Sequence, residues 1–130
     1  MKAKDIMTRP VVAATKTTTA RDAAIQMFLG GFSGMPVADR DGDVIGIVTE
    51  LDVIRAIRRG KHVESATVED IMTRDVISVD VETTADEIMD IFEQQKILRV
   101  PVTEDGKLVG IISRPDVLRA LIEPNFITFD

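Results

Sequence analysis

The chain has no cysteine, no tryptophan and no tyrosine. Without cysteine there is no disulfide frame, thiolate metal site, iron–sulfur cluster or cysteine nucleophile, and the composition suits a reducing cytoplasm. Five phenylalanines are the only aromatic residues, too few for a base-stacking platform. Positive charge is also short. Sixteen Lys and Arg stand against 22 Asp and Glu, a net charge of −6, so the basic face that a general nucleic-acid binder needs is missing. Long apolar runs are absent: Val44 to Val48 and Leu108 to Ile112 are of strand length, far below the roughly 20 residues of a membrane-spanning helix. The start, Met1-Lys2-Ala3-Lys4-Asp5, reaches an acid before any apolar stretch, so neither a secretory signal nor a membrane partner is expected. What is present is 130 residues, 45% hydrophobic and 29% charged, which predicts one body with a packed core.

The sequence is written twice. Asp5-Ile6-Met7-Thr8-Arg9 recurs as Asp70-Ile71-Met72-Thr73-Arg74, and Met35-Pro36-Val37 has its counterpart in Val100-Pro101-Val102. Asp41-Gly42 then matches Asp105-Gly106, with one residue lost before the second turn. Gly46-Ile47-Val48-Thr49 with Asp52 matches Gly110-Ile111-Ile112-Ser113 with Asp116. A repeat at half the chain length sets the architecture before any element is assigned.

Each copy reads as strand, helix, strand, strand, helix. Val11 to Ala14 and Val76 to Val79 are short and β-branched, and the Thr-rich stretches after them cap helices beginning near Ala20 and Ala85. Ala23, Ala24, Met27 and Phe28, and Ile88, Met89 and Phe92, form one apolar stripe on each helix. The Asp-Gly pairs mark hairpins. Final helices are expected from Glu50 to Arg59 and from Arg114 to Ile122, with Gly60 to Ser65 as linker between a first unit, 1–62, and a second, 63–130. A unit of about 60 residues is marginal alone, so the copies should pack as an α/β pair about a pseudo-two-fold axis, with two equivalent clefts between them.

Both copies end their hairpin with Gly, two aliphatics, a hydroxyl residue, two variable residues and Asp. One reading is a capping box, with Thr49 or Ser113 as N-cap and Asp52 or Asp116 closing it, worth about 1 kcal/mol each. The other uses the same geometry to bind: helix N-terminal amides and the hydroxyl take a phosphate, and the carboxylate accepts both hydroxyls of a ribose.

The ordered set of motifs, a D-I-M-T opening, a hydrophobe-Pro-Val strand, a D-G turn and a G-h-h-[ST]-x-x-D ending, occurring twice over residues 3–122, resembles a tandem of CBS domains, the Bateman module. The resemblance implies two β-α-β-β-α units packed through their sheets. It implies a regulatory sensor of an adenosine-containing ligand: AMP, ADP, ATP, S-adenosylmethionine or NAD. It further implies that each cleft mixes both copies. One cleft would combine Met7, Thr8, Val12, Phe32, Ser33 and Gly34 with Ile111, Ser113, Arg114 and Asp116. The other would combine Ile47, Thr49 and Asp52 with Met72, Thr73, Ile77, Ile97, Leu98 and Arg99. Asp116 or Asp52 would hold the ribose, Ser113 or Thr49 the phosphate side, and the aliphatics the base.

The copies differ where a ligand would notice. Arg114 stands beside the phosphate position of the Asp116 cleft, whereas Glu50 stands in the other, and Ser33 and Gly34 leave more room than Leu98 and Arg99. Pro115 removes one amide from the helix start. The Asp116 cleft is therefore preferred. Arg58, Arg59, Lys61 and His62 suit a helix C-terminus and solvent, while Arg55 has a twin in Arg119. Residues 1–65 carry ten basic and eight acidic side chains and residues 66–130 six and fourteen, a weak attraction between the halves. Asp39, Asp41 and Asp43 read as turn chemistry rather than a cation loop.

Enzymatic activity is not expected, because the residues supply no nucleophile paired with a base and no Walker loop. No cofactor is required on this reading. Output would act through a partner enzyme or transporter, and a homodimer is expected through the final helices, with Val53, Ile54, Ile57, Val117, Leu118 and Leu121 as contacts. The competing reading is a homodimerisation scaffold whose clefts stay empty.

Overall fold

Strand pairing in the computed structural model, which describes residues 1–122, 127 and 129, follows the repeat. The first half contains α1 (Ala3–Ile6), α2 (Ala20–Gly30), β1 (Gly34–Ala38), β2 (Val44–Thr49) and α3 (Glu50–Arg58). The second contains α4 (Val68–Ile71), β3 (Val79–Asp80), α5 (Ala85–Gln95), β4 (Arg99–Glu104), β5 (Lys107–Ser113) and α6 (Arg114–Leu121). Both hairpins are antiparallel, and each carries an irregularity at the same place, between Val37 and Ala38 and between Val102 and Thr103. The mixed helix-and-strand architecture is the expected one.

The expected first strands are shorter than the β-branched runs imply. Ala14 alone bridges β1 in parallel, at Val37, and only Val79 and Asp80 pair with β4. The apolar stripes are also narrower, since Ala23, Met27, Ile88 and Phe92 are buried while Phe28 and Met89 are exposed. The first long helix of each copy starts on a threonine: Thr19 Oγ1 accepts from Asp22 N and Thr84 Oγ1 from Glu87 N, each satisfying an amide of the first turn. After α3, Gly60 adopts φ +82°, and Lys61 N bonds Ala56 O while Gly60 N bonds Ile57 O, the Schellman pattern that releases the chain into the linker.

The short helices α1 and α4 hold the Asp-Ile pair of the repeated opening, with Met7 and Met72 at their C-caps, and each packs on the opposite half. Ala3 and Ile6 are buried with Val79, Ile88, Val100, Ile112 and Val117. Val68 and Met72 are buried with Ala23, Met27, Val37, Val48 and Val53. The following threonines finish the exchange. Thr8 makes both backbone bonds of an antiparallel bridge with Ile111, and Thr73 does so with Ile47. Each methionine lies over a strand glycine: a Cβ on Gly110 would come 2.6 Å from Met7 Sδ, and one on Gly46 2.5 Å from Met72 Sδ. The repeated opening is thus the clasp that joins the units. Where the hairpin tips meet, Leu108 N donates to Gly42 O at 2.9 Å and Lys107 Nζ pairs with Asp43 at 2.9 Å.

Val53 and Val117 differ from expectation. Both are buried in the two cores, because α3 and α6 turn them inward, and Leu51, Ile54, Ile57, Leu118 and Leu121 remain exposed on the same helices. Among the described residues, no helix is long and apolar enough to cross a membrane.

Candidate functional site

Strand β5 runs directly into α6 at Ser113, and β2 into α3 at Thr49, so each hydroxyl stands where free helix amides begin. Ser113 Oγ accepts from Asp116 N at 3.4 Å, and Asp116 Oδ2 accepts from Ser113 N at 2.8 Å and Ser113 Oγ at 2.9 Å. Asp116 Oδ1 faces Arg119 and accepts from Thr8 Oγ1 at 3.3 Å. In the twin, Asp52 Oδ2 accepts from Thr49 N at 2.9 Å, Thr49 Oγ1 accepts from Asp52 N at 3.2 Å, and Arg55 stands 3.9 Å from Oδ1. Capping boxes are therefore formed at both sites. The two carboxylates are buried, and burial of a charge is tolerated here because donors surround it.

Two cavities of about 360 Å³ each open at the seam. The first half supplies Thr8, Val11, Val12, Phe32 and Gly34 to one of them, and the second half supplies Ile111, Ser113, Pro115 and Asp116. Ile47 and Thr49 line the other with Thr73, Ile77, Ile97, Leu98 and Arg99. Apolar walls thus meet a hydroxyl at a helix start in both, and in the first cavity the carboxylate that closes the capping box as well. That combination is chemically complementary to a molecule with a flat apolar part and a hydroxylated, anionic part.

Several expected residues lie elsewhere. Met7 and Met72 cover glycines instead of lining the cavities, because the bridges at Thr8 and Thr73 turn them onto the strands. Asp52 lies behind Thr73, in a polar recess with Arg55, Arg59 and Lys61. Arg114 does not face the Asp116 cavity: its Nε donates to Ile97 O at 2.8 Å and holds the side chain toward the outer face. Ser33 lines the Thr49 cavity, where its hydroxyl accepts from the Arg99 guanidinium.

Two other arginines stand where Arg114 was expected. Arg119 lines the Asp116 cavity, one helical turn beyond its carboxylate, and its pairing with Arg55 across the repeat was the available signal. Arg99 lines both cavities. Burial pushes its pKa down from the usual guanidinium value, against the opposing pull of Glu50. Glu50 and Asp75 add negative charge to the Thr49 cavity, so the Asp116 cavity is the more favourable for an anion. Asp39, Asp41 and Asp43 bring carboxylate oxygens within 4.8 Å of one another, and Asp39 Oδ1 accepts from the backbone of Asp41 and Asp43, which is turn chemistry.

Comparison with known proteins agrees with this geometry. The CBS domain family model matches residues 3–59 and 68–123. Uncharacterized protein MK0525 of Methanopyrus kandleri is 31% identical over 122 residues, 92% of this chain, and the chain spans 61% of that protein's length. The crystal structure of the CBS-domain pair of protein MJ0100, in complex with 5′-methylthioadenosine and S-adenosyl-L-methionine, superposes with a TM-score of 0.82 at 29% identity, covering 92% of this chain and 94% of that one. CBSX2 in complex with AMP gives 0.80 at 26% identity, with the same coverage. Two matched repeats, the twinned hairpins and the clasped seam lead to one conclusion: the chain belongs to the CBS domain family and forms a CBS-domain pair, a Bateman module.

Proposed function

We propose that this module is a non-enzymatic sensor of an adenine nucleotide of the AMP, ADP or ATP class, held first in the Asp116 cleft, whose occupancy is passed to a partner protein. The observation that carries the reading is the meeting, in one 360 Å³ cavity, of apolar Val11, Val12 and Ile111 with the Ser113 hydroxyl, the Asp116 carboxylate and the cations Arg99 and Arg119. The volume lies within the range of small-ligand sites. Adenine would lie among the aliphatics, the ribose diol would replace Thr8 at Asp116 Oδ1, and the phosphate would reach the Ser113 helix start and the arginines. S-adenosylmethionine and NAD share the adenosyl part and remain within this ligand class, as do the ligands of the MJ0100 and CBSX2 pairs.

Titration calorimetry with AMP tests it. Asp116→Ala is expected to weaken the tightest step by about tenfold or more, and Asp52→Ala to leave it unchanged. The reverse pattern would overturn the cleft assignment. A second reading, an empty scaffold that forms homodimers, is favoured by the two complete capping boxes and by exposed Leu51, Ile54, Leu118 and Leu121. Thermal shift separates the two: a site filled at 100 times its dissociation constant adds about 2.7 kcal/mol of stability, and a scaffold adds none.

A further inference from the structure

Gly34 and Arg99 are counterparts across the repeat, and they touch. Gly34 opens β1 and pairs with Thr49, and Arg99 opens β4 and pairs with Ser113. A Cβ on Gly34 would collide with the Arg99 guanidinium. In this conformation the Arg99 side chain fills the space beside Gly34, and it borders both clefts. Its guanidinium is tethered to Ser33 Oγ, on the Thr49 side.

We propose that Arg99 is one cation shared by two clefts, so that an anionic group bound in one cleft weakens anion binding in the other. The proposal rests on the reading that the clefts take adenine nucleotides and adds exclusion between them. A guanidinium presents one planar fork, and a phosphate that engages it both orients it and neutralises its charge. The consequences differ for the two clefts. The Asp116 cleft keeps Arg119 when Arg99 is turned away. Among the described residues, the other charged groups lining the Thr49 cleft are Glu50 and Asp75, which repel an anion. Filling the Asp116 cleft with a phosphate thus leaves the Thr49 cleft suited to an uncharged nucleoside rather than a nucleotide. The coupling is electrostatic and reciprocal, and it vanishes for ligands without charge.

The test compares AMP with adenosine on the full chain by calorimetry. Asp116→Ala isolates the Thr49 cleft. Its AMP affinity is expected to be about tenfold tighter than the second AMP step of the unaltered protein, while the corresponding adenosine affinities agree. Arg99→Gln, which retains a polar group for Ser33, is expected to erase that tenfold gap in the Asp116→Ala comparison. Circular dichroism and a cooperative melt show that each variant is folded. A gap that is absent, equal for adenosine, or unaltered by Arg99→Gln overturns the shared cation. Asp116→Ala that binds adenosine but no AMP overturns it as well. Failure of both ligands to bind the unaltered protein overturns the nucleotide reading itself, and this inference with it.

Discussion

Gly46 and Gly110 occupy twin positions in β2 and β5, yet they should not tolerate a methyl group equally. At Gly110 the atoms in the way belong to the Met7 side chain, whose thioether can swing aside. At Gly46 the added Cβ would also lie 2.9 Å from the backbone oxygen of Thr73, which is fixed by its bonded bridge to Ile47. Gly46→Ala is expected to cost roughly 1–3 kcal/mol and Gly110→Ala less, with Met7→Ala relieving part of the second and none of the first. Denaturant unfolding of the unaltered protein, the three single variants and the two double variants with Met7→Ala checks the order, and equal losses would sink it. Single residues are also where the sequence is hardest to read. Ser113 and Asp116 are legible because a capping box and a ribose site need the same local spacing. Arg114 and Arg119 lie on one helix, and their roles depend on whether a carbonyl such as Ile97 O captures the first, which local spacing does not reveal.

Among the elements, the hairpins and long helices follow from Asp-Gly turns, β-branched alternation and threonine caps. The helices α1 and α4 escape such a reading because four residues carry no periodicity, and their stability comes from burial in the opposite half. For α1, charge adds to burial. Lys2 and Lys4 both pair with Glu82, and these hydrogen bonds hold the Glu82 pKa down, at about 2. A depressed carboxylate stabilises the fold above its ordinary pKa of 4.5 and loses that contribution as pH falls toward 2. Melting of Glu82→Gln in low salt should therefore lie below that of the unaltered protein at neutral pH, and the two curves should converge between pH 4.5 and 2. A gap constant with pH would show that the pairs contribute nothing. The caps give a second prediction at this scale. Thr84→Ala and Ser113→Ala should each lose about 1 kcal/mol. Only Ser113→Ala should also weaken AMP binding, whereas equal AMP affinity in both variants would reduce Ser113 to a cap.

For the whole molecule, the exchange of α1 and α4 means that neither hydrophobic cluster is built from one copy of the repeat. The repeat predicts two units and their pairing, but an internal duplication is silent on whether an opening segment packs on its own copy or on its twin. Here the core around Met27 and Val48 includes Val68 and Met72, and the core around Ile88 and Ile112 includes Ala3 and Ile6. A chain cut between residues 62 and 63 thus yields two fragments, each lacking part of its own core and carrying part of the other's. Leaving out Val68 and Met72 removes two buried apolar side chains from the first core, at about 1.5–3 kcal/mol apiece, which is a large share of a small domain's stability of roughly 5–15 kcal/mol. Each fragment alone should show little helical circular dichroism and no cooperative melt. Mixed in equal amounts they should recover the spectrum of the intact chain, with a midpoint that rises with concentration because folding has become bimolecular. The intact chain should melt in a single transition with coincident near- and far-ultraviolet signals. A first fragment that folds by itself would mean that the clasp is dispensable, and the clefts at the seam would then lose the rigid frame that holds Ser113 and Asp116 against Val12 and Phe32.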